Sequence, residues 1–264
     1  FVFTKLTALC YGNVSFVLLF GLFYGKKFSQ FFYKFPYFWR MKRIQFLFLL
    51  FPLLILAQAD FDRAEKLFRE GKYNQAQPIF ESFLKTNPSH LKTIEYLGDI
   101  AGHNKSWDKA IVYYKKLKQL SPSESNYYYK YGGVLGMKAK ESNKFKALGM
   151  IGEVRESFEK AIALNPKHIE ARWALITLYL ELPGIVGGSE SKAIKYSNEL
   201  YKLSAVDGYL SRGQIEEYFE RYTSAETQYK KAIAAGSTKT GVQMLSNLYK
   251  NKMKQPEKAA KIKL

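Results

Sequence analysis

From residue 60 to the end of the chain, apolar positions recur at helical spacing in stretches of about a dozen, with Gly, Pro, Asn and Ser falling between the stretches. That spacing lays an apolar stripe along a helix, and no stretch shows the sustained alternation of a half-buried strand. The pattern predicts an all-α chain. It also predicts a repeat, because YNQAQPIFESFLKTNPSH at 73–90 aligns with WDKAIVYYKKLKQLSPSE at 107–124. Tyr73 and Trp107, Ala76 and Ala110, Phe80 and Tyr114, and Pro88 and Pro122 are each 34 residues apart. Leu84 and Lys118 keep the spacing but not the residue type, and a lysine stem still covers apolar surface.

With Leu97-Gly98 in the first helix of the second unit and Ala110, Tyr114 and Pro122 in its second, residues 60–264 resemble the tetratricopeptide repeat, a 34-residue helix–turn–helix unit. The resemblance implies an α-solenoid of stacked hairpins. Six units are expected, at 60–90, 91–124, 125–168, 169–205, 206–239 and 240–264. Gly98 and Ala110 suit close approach of two helix backbones, and Pro122 ends a helix by lacking an N–H donor. The third unit carries about ten extra residues, KAKESNKFKALGM being the region, placed here between its two helices. In the fourth, Ala205 stands where proline should stop the helix. The sixth has room only for a short second helix, which suits a polar cap. The third and fourth units also resemble a subgroup of exported bacterial repeat proteins.

The segment MKRIQFLFLLFPLLILAQAD at 41–60 has a basic start, thirteen uncharged residues and an Ala-Gln-Ala end. Those are the parts of a secretory signal peptide, and thirteen residues fall short of the roughly 20 that span a bilayer. Cleavage after Ala59 and a periplasmic or secreted product are the expectation. Residues 1–40, which contain no Asp or Glu, are read as an upstream extension outside the native start. The rival reading is a membrane anchor built from the N-terminal segment.

Charge then narrows the partners. Residues 60–264 hold 34 Lys and Arg against 23 Asp and Glu, a net +11, and no cysteine. A domain of this size buries enough apolar surface to do without disulfides. The closing stretch, from Lys250 to Lys263, is dense in lysine and could meet an anionic polymer or membrane surface. An exported chain is a poor partner for nucleic acid.

Catalytic signals are thin. Ser189-x-x-Lys192, Tyr196-Ser197-Asn198 and Lys239-Thr240-Gly241 mimic the motifs of penicillin-binding proteins and serine β-lactamases, but that chemistry needs a strand beside the serine. No enzyme activity, cofactor or metal is expected. His90, His103 and His168 are the three histidines; none has a ligand-like neighbour, and surface turns are expected for His90 and His168. The loop LPGIVGGSESKA offers Gly187, Gly188 and Ser189 as an anion-binding nest, or else a plain loop with Ser189 as the next helix's N-cap.

The family resemblance implies that first helices line a concave, partner-binding face. Carried onto this chain, those positions are Glu95, Asp99 and His103, then Tyr129 and Gly133, then Trp173 and Thr177, then Leu210, Gln214 and Glu217. Phe61 and Glu65 stand where a carboxylate-clamping subgroup has its first clamp residues, so that activity is not expected. The function read from the sequence is an exported scaffold that binds a protein or peptide. The alternative is an envelope-associated module that meets an anionic surface through its basic face.

Overall fold

The structure, a computed structural model, describes residues 60–236 and 239–262. The segments read as a signal peptide and an upstream extension lie outside the described residues. Contacts divide the chain after Arg63, and the description below concerns the unit from Ala64 onward.

Twelve helices follow one another among the described residues. They are α1 (60–69), α2 (Tyr73–Thr86), α3 (Leu91–His103), α4 (Trp107–Leu120), α5 (Ser125–Glu141), α6 (Lys144–Leu164), α7 (Ile169–Glu181), α8 (Glu190–Leu203), α9 (Ala205–Tyr218), α10 (Tyr222–Gly236), α11 (Lys239–Asn247) and α12 (Pro256–Lys261). A 3₁₀ turn at Gly184–Val186 precedes α8, and a π-helical turn at Leu248–Lys252 extends α11. Each helix packs chiefly on its sequence neighbours, and successive first helices touch across units. That is the nearest-neighbour packing of a solenoid.

The 34-residue period is visible in the backbone itself. Gly71 and Lys105, and again Glu220 and Lys254, are left-handed residues 34 positions apart, each turning a first helix into its second. The turns close with N–H to C=O bonds such as Lys72 to Leu67 and Ser106 to Ala101, which satisfy carbonyls that a helix end leaves open. The third and fourth units turn differently.

Inside each hairpin, size complementarity sets the approach. A Cβ added at Gly98 would lie 2.9 Å from the Tyr114 ring, at Gly132 2.9 Å from Phe158, and at Gly213 closer still to the ring of Tyr229. The fourth unit inverts the scheme. Ile176 stands at the glycine position and Ser197 at the aromatic one, both buried, so the bulk has moved from the second helix to the first.

The extra residues of the third unit are not a loop. They lengthen the helices to 17 residues in α5 and 21 in α6, joined through Ser142 and Asn143. The reason is local. Ala139, Lys140 and Glu141 are good helix formers, and Asn143 caps α6 by accepting from the Lys146 N–H at 3.0 Å. Proline in the fourth unit is replaced functionally by Ser204, which accepts from the Asp207 N–H and starts α9 directly after α8.

Candidate functional site

The first helices of the second to sixth units are α3, α5, α7, α9 and α11, and the two halves of this row differ. In the first half, Glu95 and Asp99 of α3 face Lys130 of α5, whose ammonium lies 2.7 Å from Glu95 Oε1 and 2.8 Å from Asp99 Oδ2. The Tyr114 hydroxyl also donates to Asp99. Burial alone pulls the Lys130 ammonium down, but its hydrogen bonds to Asp99 and Glu95 outweigh that and hold it above the ordinary lysine value. These two predicted contact residues therefore staple one repeat to the next. His103 is exposed and its ring lies 4.4 Å from that of Tyr73. Tyr129 is half-buried between Phe158 and His168, at ring distances of 6.0 and 5.1 Å.

In the second half, an open cleft of about 470 Å³ between α7, α9 and α11 is lined by Trp173, Val206, Asp207, Leu210, Gln214, Thr240 and Met244. Three predicted positions, Trp173, Leu210 and Gln214, come together here. The Trp173 indole N–H donates to Asp207 Oδ1 at 2.9 Å, which fixes the ring at the mouth. Asp207 is 34 residues after Trp173, one repeat on, a register that could have flagged it in the sequence. Glu217 lies outside the cleft lining and accepts from the Tyr229 hydroxyl at 2.8 Å. Gly133 and Thr177 line a different groove of about 430 Å³, formed by α5, the lengthened α6 and α7, together with Gly136, Ile151 and Leu178.

The glycine loop does not form an anion nest. Gly187 N–H donates to Gly184 O, Gly188 N–H to Pro183 O and Ser189 N–H to Tyr179 O, so the three amides are used within the chain. Ser189 is instead the N-cap of α8, accepting from the Lys192 N–H at 3.3 Å. Of the β-lactamase-like trio, Ser189 is that cap, Ser197 is buried against Ser211 at 2.9 Å, and Lys239 opens a helix. They do not share a site. Among the described residues no three His, Cys, Asp or Glu converge as metal donors, and no helix is long and apolar enough to cross a membrane.

The histidines correct the sequence reading. His168 is only 7% exposed, because its Nδ1 caps α7 by accepting from the Ala171 N–H at 3.4 Å while Tyr129 covers the ring. His90 caps α3 in the same way, accepting from Thr93 N–H at 3.3 Å, and is part-buried. The equivalent junction position of the two histidines was legible, but their capping role and the burial that follows from it were not.

Residues 61–125 match the tetratricopeptide-repeat family model. Solved structures share the fold over most of the described chain. One is a thermophilic tetratricopeptide-repeat protein of Thermus thermophilus, with 16% identity, a TM-score of 0.58 and coverage of 74% of this chain and 97% of its own. Others are PilW, a type IV pilus biogenesis factor, with 16% identity, a TM-score of 0.57 and coverage of 78% and 89%, and PilF of Pseudomonas aeruginosa, with 16% identity, a TM-score of 0.55 and coverage of 77% and 87%. No curated protein sequence is detectably similar. Residues 61–125 thus carry the tetratricopeptide-repeat pattern, and the described chain has the α-solenoid fold of stacked helix–turn–helix units that these structures share.

Proposed function

We propose that the protein is an exported scaffold that binds an extended protein segment along the second half of its concave face. The observation that carries this reading is the convergence of Trp173, Leu210, Gln214 and Met244 from three successive first helices on one cleft, with Asp207 and Thr240 as polar partners. A fixed aromatic in an apolar cleft with a few hydrogen-bonding groups supplies the anchor that peptide recognition needs. The staples around Lys130 leave less free polar surface in the first half. Export rests on the pattern at 41–59.

A photo-crosslinking amino acid placed at Gln214 in the intact protein tests the reading. A discrete partner captured at Gln214, absent at Lys160 on a second helix and lost with Trp173→Ala, is the expected result. Equal capture at both positions counts against it. For export, recovery of a soluble envelope species that starts at Asp60 is expected, and a membrane species retaining residues 1–59 counts against it. The second reading, contact with an anionic polymer through the closing lysines, is favoured by the exposure of Lys250, Lys252, Lys254, Lys258 and Lys261. Steep loss of binding with added salt would separate it from the first.

A further inference from the structure

The turns that join first to second helices lie along one edge of the solenoid, and ion pairs tie them together. Glu141 at the end of α5 meets Lys105 at 3.8 Å and the Trp107 indole at 2.6 Å, Glu181 at the end of α7 meets Lys140 at 3.3 Å, and Arg221 before α10 meets Glu190 of α8. Over the third, fourth and fifth units this edge carries exposed apolar side chains in three consecutive turns. Phe145 is 89% exposed in the first turn of α6, with Leu148 half-exposed beside it. Ile185 is 95% exposed at the apex of the next turn, and Tyr218 and Phe219 stand in the third. On the opposite edge the turns Asn87–His90, Ser121–Glu124 and Asn165–His168 are built from polar residues and proline, and the apolar side chains near it, Leu120, Tyr201 and Leu203, are at most half-exposed, where Phe145 and Ile185 are almost wholly so.

From this asymmetry we infer that the edge carrying Phe145, Ile185 and Phe219 docks on the surface of an anionic phospholipid bilayer. Three features select that occupant. The side chains project singly from convex tips, which suits sinking into a fluid interface better than filling a fixed pocket. The Pro183–Gly188 turn is uncharged, and the N–H groups of Val186, Gly187 and Gly188 are bonded to carbonyls within it, so its backbone loses little when water is removed. Lys144 and Lys146 flank Phe145 and, among the described residues, have no ion-pair partner, whereas the carboxylates of Glu141, Glu181, Glu190 and Glu216 are each paired. Glu220 is the exposed carboxylate left over, two repeats away. Two lysines in the first turn of a helix also oppose its dipole, so they serve something other than α6. Phosphate headgroups supply the missing counter-charge. This surface is distinct from the concave cleft, and either reading can fail without the other.

The test uses the full chain with Cys10→Ser and a single new cysteine, Ile185→Cys, carrying an environment-sensitive fluorophore. Vesicles contain either phosphatidylcholine alone or phosphatidylcholine with about a third phosphatidylglycerol. The control label sits at Ser123→Cys on the opposite edge. A blue shift at 185 that brominated lipid quenches, that requires phosphatidylglycerol and that is absent at 123 is expected. The double variant Lys144→Glu, Lys146→Glu should weaken that response about tenfold while leaving helical circular dichroism unchanged. No shift at 185 overturns the proposal. So do equal shifts at 185 and 123, which would report tethering through another part of the chain, and so does an equal response on neutral vesicles.

Discussion

The two halves of the row of first helices use one repeat geometry for opposite ends. In the first half, Lys130 reaches back one unit to Glu95 and Asp99 and ties the two helices together with charge. In the second, Trp173 reaches forward one unit to Asp207 and leaves an apolar cleft open beside the bond. Side chains about 34 residues apart face each other across successive first helices, so one substitution at such a position chooses between a staple and a site. The contrast shows that the neighbouring unit decides whether a first-helix position is tied up by a partner residue or left beside a cleft.

The largest effect should come from breaking the second half's packing. A Cβ at Gly208 would overlap the Tyr201 Cα, a backbone atom that cannot swing aside, whereas at Gly98 the obstacle is a tyrosine ring at 2.9 Å. Gly208→Ala should cost about 3 kcal/mol and Gly98→Ala about 1–2 kcal/mol, measured by urea unfolding. Next comes the staple. Lys130→Met leaves Glu95 and Asp99 facing each other without a cation and should cost about 2 kcal/mol, while capture of a partner at Gln214 stays unchanged. If capture falls with stability, the halves are not independent.

Trp173→Ala should act the other way, weakening partner binding about tenfold with a smaller change in stability. The smallest effects are those of pH, and both halves share them, since Glu226 in the second half is also held below its ordinary value by its hydrogen bond from Lys230. Glu65 is held at about 2 by hydrogen bonds from Lys92 and Tyr96, below its ordinary 4.5, with Arg69 adding to them. Its contribution is therefore present above about pH 4.5 and fades as pH falls toward 2, in the first half. Tyr114 and Tyr229 are raised by burial first and then by Asp99 and Glu217. Their contributions hold below pH 10 and are lost above it, in both halves. Thermal melts across pH, followed by circular dichroism, read both windows.

Much of the fold was legible because the repeat is legible. Ala76, Ala110, Phe80 and Tyr114, paired by spacing alone, are all fully or nearly buried. The third unit was harder, since residues 138–150 hold no proline and read as an insertion without saying whether it bends. Its answer lay in Ser142-Asn143, a turn of two residues with a cap. The site was half legible. Trp173, Leu210 and Gln214 follow from position, but Glu95 and Asp99 are taken up by a partner 35 and 31 residues away, and a single unit read alone does not reveal that. His168 was misplaced at the surface because its neighbours in sequence are polar, while the ring that buries it, Tyr129, stands 39 residues earlier on the first helix of its unit.

The lengthened α5–α6 pair, the most extensively packed hairpin of the array, has a kinetic consequence. Chains whose contacts are all local fold quickly, and a repeat array can start wherever one unit is stable enough to hold the next. The two longest helices stand in the third of six units, so order begins near the centre and spreads toward both ends. A start there halves the distance that each front must travel. Among the described helices it also leaves the six-residue α12 to form late and to open early, so a lysine-specific protease should cut there before it cuts within α5 or α6.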